Sequence, residues 1–405
     1  MRLSIRSMLL TLSTAVATTV VFFAAHRQNL VLGAAGPINP QLTSYRVLAP
    51  IESGNLMLFP VVQTGKEPGA PFMTLDEGLK TGEVEVTEAG RVRGLVRPRP
   101  SQNRLPNDGV ARPAPEYRGD QVNTLVLVNN STKPLLLLAG EIVTGGKQDR
   151  VIAKDRIVPA GSNPIDLGVF CIEPGRWTED TANFHASAKA SAQSMMVQPM
   201  VREKAMVAKD QHEVWDSVHG AIGGALKSRS SSRVTVEGTD PASLGTTSYA
   251  RAMQNSAVSA KVDEAAAPVS KSRDQILSQL QQEHAVGVVV AIRGEIVWAD
   301  IFSDTDLLAR YWTKLVRSYA AESLLEGPSH RNPTIADAQH FIDEPNGGTE
   351  TSIGDVGIYR YLELRSGANE TFILESLLPG TGYDVHLSKL KVRGAPHQPA
   401  SAVLR

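Results

Sequence analysis

From Leu48 to Trp177 the chain is a series of short apolar, β-branched runs, each closed by glycine, proline, asparagine or aspartate. "NLMLFPVV", "GEVEVTEAG", "NTLVLVNNSTKPLLLLAGEIV", "DRVIAKDRIVPAGS" and "IDLGVFCIEPGRW" have the length and residue types of strands rather than helices. This spacing commits the segment to sheet. In "VNNSTKPLLLL", Asn129, Asn130 and Ser131 tolerate turn geometry and Pro134 opens a returning strand, so a hairpin is expected. "TLDEGL" at Thr74 reads as a short capped helix, and the Pro/Arg-rich residues 97–120 as a long surface loop.

From Phe184 to about Gln282 the chain changes to Ala, Ser, Gln and Met with helical spacing. "MVREKAMVAKDQHEVWDSVHGAI" predicts one amphipathic helix with Val207, Val214, Trp215 and Val218 near one face. Residues 224–250 are small and polar and are expected as a second surface loop. "SYARAMQNSAVSAKVDEAA" predicts a second helix, and "SKSRDQILSQLQQEH" a third with Ser272 as N-cap. "AVGVVVAIRGEIVWADIFSD" then predicts a hairpin turning at Arg293 and Gly294. A capped helix follows, with Leu307, Leu308, Tyr311, Trp312, Leu315 and Tyr319 at three- and four-residue spacing. "IGDVGIYRYLELRS" and "YDVHLSKLKVRG" add two or three strands that return to the first sheet. The fold class expected is α+β: an antiparallel, sandwich-like β-rich core, a helical middle segment and returning C-terminal strands. One domain is expected over residues 45–392, with 393–405 as a flexible tail.

With 42% hydrophobic residues over 405 positions the chain can bury a large core without cross-links. It has to, since Cys171 is its single cysteine; behind Val169 and Phe170 it reads as a small buried hydrophobe. A formal charge of −1 gives no support for a nucleic acid partner. Arg2 and Arg6, the uncharged run Met8 to Ala25, and then Gly33, Ala34 and Ala35 form a signal-peptide pattern over residues 1–35. The expected location is therefore periplasmic or extracellular. Membrane contact is confined to this segment, and only if it stays uncleaved as an anchor.

"LLLLAGEIVTGGKQDRVIAKD" has the outline of a phosphate-binding P-loop, but Gly146 stands where the lysine belongs and β-branched residues follow where a helix is needed. "HEVWD" lacks the second histidine of a zinc-protease helix, and His212 and His219 alone make a weak metal pair. What remains is a concentration of charge between apolar strands: Glu141, Lys147, Gln148, Asp149, Arg150, Lys154, Asp155, Arg156, Glu173, Arg176 and Trp177. Gly145 and Gly146 let a backbone approach a ligand, Lys147 and Arg150 suit an anion, and Glu141 with Glu173 suit acid and base roles. A salt-bridged sheet edge explains the same residues equally well. A hard cation held by Glu141, Asp149, Glu173 and His386 is a weaker option without supporting ligand spacing. No metal is assigned and no cofactor is identified.

The run from Gly140 and Glu141 through Gly146, Lys147, Gln148, Asp149 and Arg150, with its partner Cys171, Glu173, Gly175, Arg176 and Trp177, resembles a known domain family. It is the family named for its association with ADP-ribosylglycohydrolases and rhodanese-phosphatases. The resemblance extends more weakly through "FMTLDEGL", "QHEVWDSV", "VGVVVAIRGEIVWADIF" and "VHLSKL", roughly residues 45 to 392. It implies an α+β fold without an established activity and a role in ADP-ribose or related nucleotide metabolism. The functional expectation is an exported domain that binds, and hydrolyses, a small anionic sugar or nucleotide-like compound. Glu141, Asp149 and Glu173 are the candidate catalytic residues; Gly145, Gly146, Lys147, Gln148, Arg150, Arg176 and Trp177 are the candidate ligand contacts. The alternative is an exported structural or interaction module in which these charges form a buried polar network, with Trp177 packed over Arg176 or Arg150.

Overall fold

The apolar runs resolve into strands shared between two large sheets and two small ones. The computed structural model describes residues 45–63, 71–92, 95–96, 112–113, 120–185, 195–230, 246–270, 280, 282–325, 332–344, 348–381 and 384–392. The first strands are β1 (Tyr45–Val47), β2 (Ile51–Ser53), β3 (Leu56–Gln63), β4 (Met73–Thr74), β5 (Val84–Glu88), β6 (Leu95–Val96) and β7 (Arg112–Pro113), with helix α1 (Leu75–Thr81) after β4. Next come β8 (Thr124–Asn129), β9 (Leu135–Leu137), β10 (Ile142–Gly145), β11 (Arg150–Ile152), β12 (Arg156–Val158), β13 (Ile165–Cys171) and β14 (Phe184–His185). The helical middle comprises α2 (Pro199–Glu203), α3 (Gln211–Ser230), α4 (Tyr249–Gln254) and α5 (Ser256–Ser270). The chain then forms β15 (Ala285–Ile292), β16 (Glu295–Phe302), α6 (Thr305–Ser323), α7 (Ile335–Asp343), β17 (Thr349–Asp355), β18 (Tyr359–Ser366), β19 (Asn369–Ser376) and β20 (Asp384–Lys391).

The larger sheet has nine strands in the order β1-β3-β15-β16-β20-β19-β18-β17, with β2 also on β3, and all its pairings are antiparallel. Every residue of β15 is buried, which is why its sequence is continuously apolar rather than alternating. Helix α6 packs on β15, β16 and β3, and α7 packs against β1 and β16. The second sheet runs β14-β10-β11-β13-β8-β5, again antiparallel. One of its faces meets the three-stranded sheet β12-β9-β4 across Val86, Leu127, Leu137, Val143, Ile152 and Val158, which is the sandwich-like part of the fold. Its other face, with Ile142, Val151 and Phe170, joins the main core beneath the helices.

Several local expectations need correction. "VNNSTKPLLLL" is not a hairpin: β8 pairs with β5 and β13, whereas β9 pairs with β12 and, in parallel, with β4. The buried Asn129 turns the chain between sheets, donating from Nδ2 to the Lys133 carbonyl at 2.9 Å and the Pro159 carbonyl at 3.0 Å. "DRVIAKDRIVP" likewise breaks at Ala153–Asp155, sending β11 and β12 to different sheets. The single helix expected over 200–222 is two, joined by a π turn at Lys204–Ala208 and a left-handed Lys209 with φ 56°. Asp210 restarts the helix by accepting from His212 N at 2.8 Å and Glu213 N at 3.1 Å, a capping signal that the apolar periodicity obscured. Val214 and Val218 are buried and Trp215 half-buried. α3 continues to Ser230, inside the stretch expected as loop, and the next helix divides at Asn255 into α4 and α5.

Other expectations agree with the structure. The Thr74 capping box starts α1, Arg293 and Gly294 turn the β15–β16 hairpin with φ of 53° and 79°, and Asp304 caps α6. The last strands join β16 as expected, though there are four of them. Residues 1–44, most of 97–119, 231–245 and 393–405 lie outside the described residues, as does most of the expected third helix, Ser272 included. Among the described residues, no helix is long and apolar enough to cross a membrane.

Candidate functional site

The motif forms a tight turn between β10 and β11, faced by the segment that follows β13. Gly145 and Gly146 have φ of 115° and 50°, which disfavours any side chain, and space forbids one as well. A Cβ would come within 2.3 Å of Thr181 Oγ1 at the first position and 2.2 Å of the Phe184 ring at the second. The glycines therefore bring the turn against the protein's own segment 181–184, which leads into β14. The backbone is then fastened by charge. Asp149 accepts from Gly145 N at 3.1 Å and from Ser248 Oγ at 2.5 Å, while its own N–H donates to Glu173 Oε2 at 3.0 Å. Arg176 pairs with the same Glu173 oxygen at 2.6 Å and donates to the Gly146 carbonyl at 3.0 Å. Gln148 Nε2 donates to the Glu173 carbonyl at 3.2 Å. Burial, and then the nearby Glu173 charge, push the Asp149 carboxyl above its ordinary value.

Arg150 differs from these braced groups. Its side chain is wholly buried, Nε donates to the Val122 carbonyl at 2.8 Å, and neither Nη1 nor Nη2 has a hydrogen-bond partner. Trp177, 42% exposed, covers it: the guanidinium carbon is 5.9 Å from the ring centroid, and Lys147 Nζ is 5.3 Å from the same ring. Lys147 also pairs with Asp120 at 2.9 Å. Beside the turn, Glu88 accepts Lys147 N at 2.8 Å through one oxygen and leaves the other buried without a partner. Burial raises the Glu88 carboxyl and lowers the Arg150 guanidinium. Cys171 opposes Arg150 in the ladder; it is buried and free, and burial raises its thiol, so it has the character of a packing residue.

Glu141 stands apart from Glu173. It is buried against Lys314 of α6, with Oε1 at 2.6 Å from Nζ and Oε2 accepting Leu138 N at 2.7 Å, and Lys314 also pairs with Asp76. The structure thus groups Asp149, Gln148, Glu173 and Arg176, sets Lys147, Arg150 and Trp177 beside them, and gives Glu141 to a different cluster. His386 is not with these carboxylates; it bonds Asp155 through Nδ1 at 2.6 Å and sets Nε2 3.2 Å from Asp300 as an ion-pair contact. Among the described residues there is no group of three or more histidine, cysteine or acidic side chains placed to hold a metal ion.

Sequence reading missed Glu88, Ser248 and Lys314, whose partners lie 59, 99 and 173 positions away. It also missed a buried network around Asp300. Arg202 pairs with Asp300 at 2.8 Å, Ser388 donates to it at 2.7 Å, Tyr319 donates to the same carboxylate, and His386 joins it to Asp155. Asp155, Tyr319 and His386 stand out in sequence for other reasons, and no local pattern joins them to Asp300, Arg202 or Ser388.

Residues 44–390 match the model of a domain family described as ARPP-1, the ARG and Rhodanese-Phosphatase-superfamily-associated Protein domain. No curated protein and no solved structure matches the chain.

Proposed function

The chain belongs to the ARPP-1 domain family, and from that premise we propose that it binds a small anionic compound, sugar phosphate or nucleotide-like, on the Arg150 guanidinium. The observation that carries this reading is a fully buried arginine with both Nη groups unpartnered. A buried cation left this way costs stability, and two parallel N–H donors match the paired oxygens of a carboxylate or phosphate. Trp177 stands against Arg150, with Lys147 near the same ring, and both would shift to admit the ligand. Asp149 and Glu173 are already held by Arg176, so their part here is to fix the turn, and binding rather than hydrolysis is the activity put forward. Export belongs to the same proposal and rests on the pattern of residues 1–35 alone.

A second reading, a purely structural network, is favoured by the closed contacts of Asp149, Glu173 and Arg176. The two separate on Arg150→Met, measured as melting temperature with and without ADP-ribose, ribose 5-phosphate, AMP and inorganic phosphate. The binding reading expects an unchanged or more stable free protein and at least tenfold weaker binding, on the order of 1.4 kcal/mol or more. A structural Arg150 would instead lose on the order of 3 kcal/mol of stability, and no compound would raise the wild-type melting temperature.

A further inference from the structure

Successive residues of a strand face opposite sides of a sheet. Arg150, opposite Val143, faces the smaller core; Val151, opposite Ile142 and Phe170, faces the larger one. On that second side, just past β11, lies a cavity of about 190 Å³. Its wall is drawn from the β11–β12 link, β13, the π turn after α2 and the β17–β18 hairpin. Lys154, Arg156 and Lys209 reach it, as do the rings of Phe170, Tyr359 and Tyr361.

The charges in this wall are unevenly matched. Lys154 Nζ bonds one oxygen of Glu363 at 2.6 Å, and Lys209 Nζ bonds the other. Two ammonium groups therefore share one carboxylate, and Asp155, the acid that also lines the cavity, has its oxygens engaged by Ala139 N and His386 Nδ1, so the lysine pair keeps an excess of about +1 for a ligand. Burial raises the Glu363 carboxyl, but the two lysines outweigh it and hold the group below its ordinary value, so it stays ionised between them. Lys209 reaches this position because its left-handed backbone ends the π turn. Arg156 is paired with Asp355 at 3.1 Å, yet its buried Nε has no partner, and neither has the buried hydroxyl of Tyr361. The remaining wall is flat and apolar: Tyr361 stacks on Phe372 at 6.0 Å between centroids, with Lys154 Nζ 5.7 Å from its ring centre.

Size restricts what can enter. A cavity of roughly 150 Å³ encloses benzene, whereas drug-sized ligands occupy about 300 Å³ or more. The space here suits one ring with one small acidic substituent and is too small to enclose a dinucleotide-like compound. We propose that this cavity binds a single-ring monocarboxylate, with the ring among Phe170, Tyr359 and Tyr361 and the carboxylate on the Lys154 and Lys209 ammonium groups. The site is independent of Arg150, because the two lie on opposite faces of the sheet.

Titration of the full chain with benzoate, benzamide and inorganic phosphate, followed by calorimetry and by melting temperature, tests this assignment. Benzoate is expected to bind saturably and to raise the melting temperature, with benzamide and phosphate at least tenfold weaker. Lys209→Met, at an exposed position, should retain the wild-type melting temperature without ligand and weaken benzoate binding about tenfold. Glu363→Gln, which removes the carboxylate competing for both lysines, should strengthen it by a similar factor. Arg150→Met should leave it unchanged, which separates this site from the one proposed on the other face. The assignment is overturned if benzoate fails to bind, if benzamide or phosphate binds as well as benzoate does, or if Lys209→Met or Glu363→Gln binds it like wild type. Loss of benzoate binding in Arg150→Met would overturn it too, by moving the ligand to the other face.

Discussion

Glu141 shows how a side chain that looks functional in sequence becomes a matter of stability in the fold. The Lys314 ammonium, 2% exposed, serves both Glu141 and Asp76; burial, and after it the Asp76 charge, push the Glu141 carboxyl upward against the pull of Lys314. Lys314→Met is expected to cost on the order of 3 to 5 kcal/mol by leaving Glu141 buried without its counter-charge. Glu141→Gln should cost less, since an amide resembles the neutral acid, and combining both changes should recover more than half of the loss. Urea denaturation of the two single variants and the double variant measures this, and strictly additive losses would show that the pair is not coupled. Arg150 differs: its Nε bonds the Val122 carbonyl, and neither Nη group has a hydrogen-bond partner.

Elements were legible where a signal and its effect lie close together. The six apolar positions of α6 recur every three or four residues and all six are buried, and the Arg293–Gly294 turn lies where its two strands must reverse. Legibility failed at β8 and β9, because Asn129 supports two different outcomes with the same residues: a hairpin, or a corner between sheets. Its side chain chose the second by bonding carbonyls on both sides of the corner, including Pro159, which no local pattern could reveal. Asn129→Ala should orphan several buried carbonyls and cost about 2 to 3 kcal/mol, read as a lower denaturant midpoint with an unchanged slope. The candidate turn is a mixed case. Its residues stood out by density, but which of them brace the turn and which stays unpaired depends on Glu88 and Ser248, far away in sequence.

At the scale of the whole molecule, one histidine ties together parts of the chain that no motif connects. His386 on β20 links Asp155, between β11 and β12, to Asp300 on β16, which also receives Arg202 and Tyr319. Burial alone would lower its pKa, but the Asp155 and Asp300 charges outweigh this and raise it from 6.5 to about 8. A raised histidine pKa stabilises the fold fully below pH 6.5, and that contribution fades as pH rises through about 8. The shift corresponds to about 2 kcal/mol. Denaturation between pH 6.5 and 8 should show this slope in the wild type, and His386→Gln should flatten it. Lys389, lowered to about 8 by burial, acts in the opposite direction above that pH, so the lower window is the informative one. The nine-stranded sheet has a further consequence, in time. Residues 56–62 pair with 285–292, and β16 then needs β20, so the central ladder cannot close until nearly the whole chain is available. Such long-range closure makes folding slow. Until residues 384–391 join it, β16 keeps one edge unpaired, a surface open to pairing with another chain.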